Sequence, residues 1–169
     1  MTHDIATDPA AVLLDFEDWA THRMLDACEP LSDLQLDRAF EMGLGTLRKT
    51  LVHNIGAMIG WTGVMNESEP DFDPDFGGEE PSIDRLRSTH ERAMDDFRAA
   101  ATAGSPADVF SRERKGTVTT YSRGGIVTHV VTHSMHHRAQ CLNMLRQLGI
   151  ETQPESSVFQ WMIAHPPGA

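Results

Sequence analysis

Residues 128–146 read THVVTHSMHHRAQCLNMLR and hold four of the chain's nine histidines: His129, His133, His136 and His137. A helix advances about 100° per residue, so His133 and His137 share one face, one turn apart. Ile126, Val130, Met144 and Leu148 fall on that face, and the pair is expected to point into a core. His129 and His136 fall with Gln140 and Asn143 on a wetter flank. Two neutral imidazoles at i and i+4 suit a divalent metal held at ~2.0–2.1 Å by ring nitrogens. His129, His133 and His137 cannot all bind one ion, because eight residues of helix rise span ~12 Å. A third ligand has to come from elsewhere. The plainer reading is two core histidines satisfied by hydrogen bonds. Burying two imidazoles mid-face with nothing to bind is costly, which favours the metal.

The elements that must position this pair are helices. Asp8 followed by Pro9 starts one: an acceptor at the cap, then proline at the first helical position. Its apolar stripe runs through Val12, Leu13, Phe16, Ala20, Met24 and Ala27, with Trp19 at the edge, and Pro30 ends it. Residues 31–44 form a connection with apolar anchors. Thr46 caps a second helix reaching about Glu67, with Leu47, Leu51, Ile55, Met58, Thr62 and Met65 as its main stripe. Val52, Ile59, Trp61 and Val64 carry apolar character most of the way round, as in a central helix or one facing a second subunit. His53 lies off that stripe beside Gly56, Ala57 and Gly60. Those small residues either let another helix approach or leave room beside His53. Alone, His53 reads as an ordinary packed or surface histidine. Beside the pair on the last long helix it is the best candidate for the third ligand.

Ser82 caps a third helix ending near Gly104, with Ile83, Leu86, His90, Ala93, Met94 and Phe97 inward and charges outward. His90 has no imidazole partner one turn away and reads as structural. Residues 105–114 read as irregular, and Thr117–Tyr121 as a short strand. Ser122 caps the histidine helix, which ends at Gly149, and residues 156–164 form one last short helix. The expected fold is all-α: a four-helix bundle with long linkers, in up-down-down-up order, with a short extra C-terminal helix.

The chain is 169 residues long, which fits one domain, 1–169, with ample core. Its 25 acidic and 14 basic residues give a net charge of −11, which disfavours nucleic acid and anionic membrane as partners. No apolar run approaches the ~20 residues of a membrane span. MTHDIATDPA lacks the basic and apolar regions of a signal peptide. With only Cys28 and Cys141, a disulfide framework is not expected, and a reducing cytoplasm is. Residues 66–81 form an acidic linker whose alternate carboxylates resemble a calcium loop. Pro74 interrupts it, and Phe76 stands where such a loop needs glycine, so a solvated loop is the expectation.

DFEDWATHRMLDA near the start, LRKTLVHNIGAMIGW in the second helix and HVVTHSMHHRAQ in the last resemble the DinB-like superfamily, in order and at similar spacing over nearly the whole chain. The last motif is the most specific. The resemblance implies a four-helix bundle holding a divalent metal, zinc or nickel first, by one histidine of the second helix and two of the last. Carried over, these are His53, His133 and His137. Where the family has Arg-Gly-Gln, this chain has Arg138, Ala139 and Gln140, which leaves the ligands untouched.

Three protein ligands leave the ion open to water or substrate, as in catalytic rather than structural sites. Superfamily relatives use low-molecular-weight thiols such as mycothiol or bacillithiol, which implies a metal-dependent thiol S-transferase or isomerase acting on a small molecule. A metal-dependent hydrolase would use the same ligands, and a non-catalytic metal-binding stress-response protein is the third reading. No convincing general base stands out. Tyr121 and Arg138 are candidates, a salt bridge being the plainer role for Arg138. Cys141, one turn beyond His137, could approach the metal, although a small core residue is the commoner case. The surplus apolar surface of the second helix predicts a homodimer.

Overall fold

The computed structural model describes residues 8–72 and 80–166. The elements run α1 (Pro9–Cys28), α2 (Asp33–Leu36), α3 (Leu47–Met65), α4 (Ile83–Thr102), β1 (Val109–Arg114), β2 (Thr117–Ser122), α5 (Arg123–Gln147) and α6 (Val158–Ala164). The fold class is all-α with one small hairpin. The four long helices and the short C-terminal one stand where the sequence placed them. Among the described residues no helix is long and apolar enough to cross a membrane. Residues 73–79, and with them the core of the calcium-loop comparison, lie outside the described residues.

The caps act as their chemistry requires. The Asp8 carboxylate accepts from the Ala10 and Ala11 amides, both at 3.1 Å. Thr46 Oγ1 accepts from Lys49 N, Ser82 Oγ from Arg85 N and Ser122 Oγ from Gly125 N, each satisfying a donor that the first turn leaves unpaired. Two elements differ from expectation. The 31–44 connection contains α2, opened by a capping box between Ser32 and Gln35. Residues 109–114 are not irregular: they pair antiparallel with 117–122, Phe110 opposite Tyr121 and Arg112 opposite Thr119. The hairpin turns at Lys115 and Gly116, whose φ values of 50° and 77° are both left-handed, which glycine adopts readily.

The chain divides into two compact units, Met1–Thr50 with Ser134–Ala169, and Leu51–His133. In the first, Phe16 and Ala20 of α1 form a buried cluster with Trp161 of α6. A second buried line on α1, through Leu14, Glu17, Thr21, Leu25 and Cys28, was not expected. Arg48, 3% exposed, forks onto the Asp37 carboxylate at 2.8 and 2.9 Å and also reaches Asp33, tying the α2 connection to the start of α3. Its guanidinium pKa is raised, chiefly by the bond to Asp37, so it stays charged although buried. Cys28 and Cys141 are free and buried. Burial pushes the Cys28 thiol up to about 12 and raises Cys141 as well, so neither is a thiolate at neutral pH.

In the second unit α4 buries Ile83, Leu86, His90, Ala93, Met94 and Phe97, the stripe read from sequence. Arg123, at the start of α5, donates to the Ala100 carbonyl and the Asp108 carboxylate and lies 4.9 Å from the Phe110 ring centroid. One side chain thus fixes the end of α4, the base of the hairpin and the start of α5.

Candidate metal centre

α3 presents its main stripe inward, with Leu51, Ile55, Met58 and Met65 at 2–4% exposure. His53 leaves the other side and is exposed. On α5 the buried residues centre on Val130, Ser134, Arg138 and Cys141. Polar Ser134 and Arg138 occupy the heart of that face, and His133 is moved to its border. The expected core-facing pair is therefore corrected: His137 is buried at 9% exposure, while His133 is half-buried. His129 and His136 are exposed, as expected of a wetter flank.

The rings of His53 and His133 lie with centroids 5.0 Å apart and their Nε2 atoms 3.2 Å apart. α5 is one unbroken helix, so His137 follows His133 by one turn. His53, His133 and His137 each offer a ring nitrogen, all within 4.8 Å of one another, and could hold a metal ion. Two nitrogens bound at ~2.0–2.1 Å on a tetrahedral ion lie ~3.3–3.4 Å apart, close to the 3.2 Å between His53 and His133. His137 Nδ1 donates to Gln140 Oε1 at 2.8 Å, which puts the proton on Nδ1 and the lone pair on Nε2. Gln140 Nε2 in turn donates to His136 Nε2 at 3.0 Å. Gly43 is needed beside this amide: a Cβ there would sit 2.5 Å from Gln140 Oε1, and its φ of +53° strains other residues.

The small residues after His53 leave room rather than admit a helix. A cavity of about 750 Å³ opens there, bordered by His53, Gly56, Gly60 and Trp61 of α3 and by Arg112, Glu113 and Tyr121 of the hairpin. A Cβ at Gly60 would meet nothing within 4 Å. Trp61 packs edge-on against Tyr121, centroids 4.9 Å apart, and lies 5.1 Å from His129. His129 is 5.4 Å from the His133 ring, so it is a neighbour of the histidine group rather than part of it. The sequence had no means to see Arg112 and Glu113, because β1 was read as irregular.

The remaining candidates separate cleanly. Tyr121 is half-buried on the cavity wall. Arg138 is 1% exposed and bound to Glu17, the salt bridge the sequence favoured, and it is not among the residues that line the cavity beside His53. Cys141 is buried, protonated and outside the histidine group.

The DinB family profile matches residues 6–162. Among solved structures, a DinB-like protein from Bacillus cereus ATCC 10987, at 20% identity, superposes with a TM-score of 0.62 over 87% of this chain and 96% of that one, a likeness of fold. Among curated proteins none matches. With the profile spanning nearly its whole length, the chain belongs to the DinB family.

Proposed function

We propose that His53, His133 and His137 hold one divalent ion, zinc or nickel, and that the chain is a metal-dependent thiol S-transferase or isomerase acting on a small molecule. The observation that supports this reading is the convergence of three imidazole nitrogens within 4.8 Å, one of them on a histidine that borders a cavity of about 750 Å³. The donor set suits the ion: three neutral imidazoles, one held in the ligating tautomer by Gln140. When bound, such an ion lowers the pKa of a thiol or water that reaches it and polarises a carbonyl. The chain itself orients the His137 ring through Gln140, places His53 at the edge of the cavity and lines that cavity with Trp61, Phe72 and Tyr121. The chain's own thiols are buried and protonated, so the reacting thiol is a separate small molecule, in keeping with a reducing cytoplasm.

Protein purified without a histidine tag is expected to carry one zinc or nickel per chain, removable by chelator. With free metal at ~1,000 times its dissociation constant, reloading adds ~4 kcal/mol of stability, read as a rise in melting temperature. Turnover is expected on thiol-plus-electrophile panels and not on ester or amide panels. Absence of metal and of any thermal shift would sink the site. Turnover on esters alone would replace the transferase with a hydrolase.

The orienting amide gives a separate prediction. Gln140→Ala leaves His137 Nδ1 without its acceptor and is expected to weaken zinc binding ~10–100-fold. Gly43→Ala should act in the same direction by displacing Gln140. Competition titration against a zinc chelator reads both. Unchanged affinity in Gln140→Ala would mean that the amide does not orient the ligand.

A further inference from the structure

We propose that the cavity beside His53 takes a flat aromatic group of the substrate, and that Gly60 is the residue that sets the room for it. The proposal rests on the reading of His53 as a metal ligand, which makes this cavity the substrate's place. The recognition itself comes from the bare surface of α3 and the rings around it.

No demand of the fold explains a glycine at position 60. Its backbone is ordinary α-helix, which any residue adopts. A Cβ there would meet nothing within 4 Å. Gly63 on the same helix is different, because a Cβ there would sit 3.0 Å from the Ser68 carbonyl oxygen. Glycine inside a helix costs stability relative to alanine. At Gly63 close packing offsets that cost. At Gly60 nothing in the packing does, and the missing side chain leaves room on the side that borders the cavity.

The shape of that room follows from the helix. His53, Gly56 and Gly60 stand at i, i+3 and i+7 and share one face of α3, with Ala57 beside them. All four border the cavity. The rise from His53 to Gly60 is ~10.5 Å. A substrate with one end at His53 thus lies along helix surface that carries nothing larger than a methyl group. Trp61, Phe72 and Tyr121 border the same space. Trp61 and Tyr121 hold each other edge-on, with centroids 4.9 Å apart and planes at 83°. Rings favour offset-stacked or edge-to-face contact with a further ring. A flat group of one or two rings suits both the bare helix and the aromatic border, and a thick saturated group suits neither. The volume of about 750 Å³ falls within the ~300–1,000 Å³ of small-molecule sites.

The test is calorimetric titration of the full, tag-free chain with 2-naphthalenemethanol and with its saturated counterpart, decahydro-2-naphthalenemethanol. The parent is expected to bind the flat probe ~5–10-fold more tightly. A shapeless apolar patch would prefer the saturated probe, which is the more apolar of the two. Gly60→Leu should weaken the flat probe at least ~10-fold by filling its place, with circular dichroism as the check on folding. Gly60→Ala adds one methyl group. It should melt ~2–4 °C above the parent and weaken the probe by less than leucine does. No binding by the parent, equal binding of the two probes, or unchanged binding in both Gly60 variants would overturn the proposal. So would a Gly60→Ala chain that melts below the parent, because packing would then demand the glycine. The same titrations on His133→Ala separate this proposal from the metal reading. Preference for the flat probe that persists there supports the cavity even if the chain never holds zinc. A parent that holds zinc through the three histidines but shows no such preference removes the cavity proposal alone.

Discussion

His133→Ala leaves a tag-free chain without bound zinc or nickel, and its affinity falls by more than the ~10–100-fold that loss of an outer orienting partner costs. His133 is the ring that meets His53 at 3.2 Å and shares a helix face with His137, so its removal leaves two nitrogens with no bridge between them. His53→Ala and His137→Ala are expected to match it, although His53 lies about 80 residues away in sequence. None of the three should gain the ~4 kcal/mol that saturating metal gives the parent. His129→Ala and His136→Ala behave differently. His129 packs its ring against those of Trp61 and His133, and His136 reaches His137 through Gln140 as well as by ring contact. Both should retain one metal per chain, with at most the loss that an orienting partner commands. Elemental analysis and chelator competition on the five variants, with circular dichroism as the check on folding, decide the assignment. If His53→Ala binds as tightly as the parent, the third ligand has been misassigned. If His137→Ala binds and His129→Ala does not, the metal uses the other turn of α5.

Where the sequence was legible, the signals were local. Asp8–Pro9, Thr46, Ser82 and Ser122 mark helix starts because a short polar side chain satisfies first-turn amides in any tertiary context. The α4 stripe was readable because every charge on that helix points outward. Helical spacing put His129 and His136 on an exposed flank, where they stand. β1 was not legible. VFSRER has two apolar residues and then charges, and its pairing partner arrives only after the turn. Lys115–Gly116 is a weaker hairpin signal than Asn-Gly or Asp-Gly.

The orientation of α5 was misread for another reason. Periodicity assigns polar residues to water, yet Ser134 and Arg138 are buried at 2% and 1% exposure because Glu17, on α1, satisfies them. A long-range ion pair of this kind rotates the buried face by a fraction of a turn. That rotation brings His133 to a surface rather than a core. The glycines beside His53 had two readings in sequence, close helix contact or free space. Only the hairpin, which supplies Tyr121, Arg112 and Glu113 to the facing wall, decides between them.

Glu17→Ala is expected to destabilise the fold by ~3–5 kcal/mol, because it leaves a buried guanidinium without its counter-ion. Glu17 is 0% exposed and Arg138 1%, and the Nη1–Oε2 distance is 2.6 Å. The carboxylate is also held by Ser134 and Thr21 hydroxyls, which donate to Oε1. Arg138 lies over the Phe16 ring at 5.2 Å, and its Nε and Nη2 have no hydrogen-bond partner among the described residues. The guanidinium therefore depends on one carboxylate for most of its compensation. At ~2–4 °C per kcal/mol for a chain of this size, the melting temperature should fall by roughly 6–20 °C. Glu17→Gln preserves shape and should still lose most of that stability, because the amide carries no charge. Removing both charges is expected to recover much of the loss, since a buried pair replaced by well-packed apolar residues is often neutral. The double variant Glu17→Leu with Arg138→Met should thus melt above either single variant. Thermal unfolding of the two singles and the double reads the coupling between them. Additive losses would mean that the pair does not act as a unit, and a Glu17→Ala protein as stable as the parent would mean that water reaches Arg138.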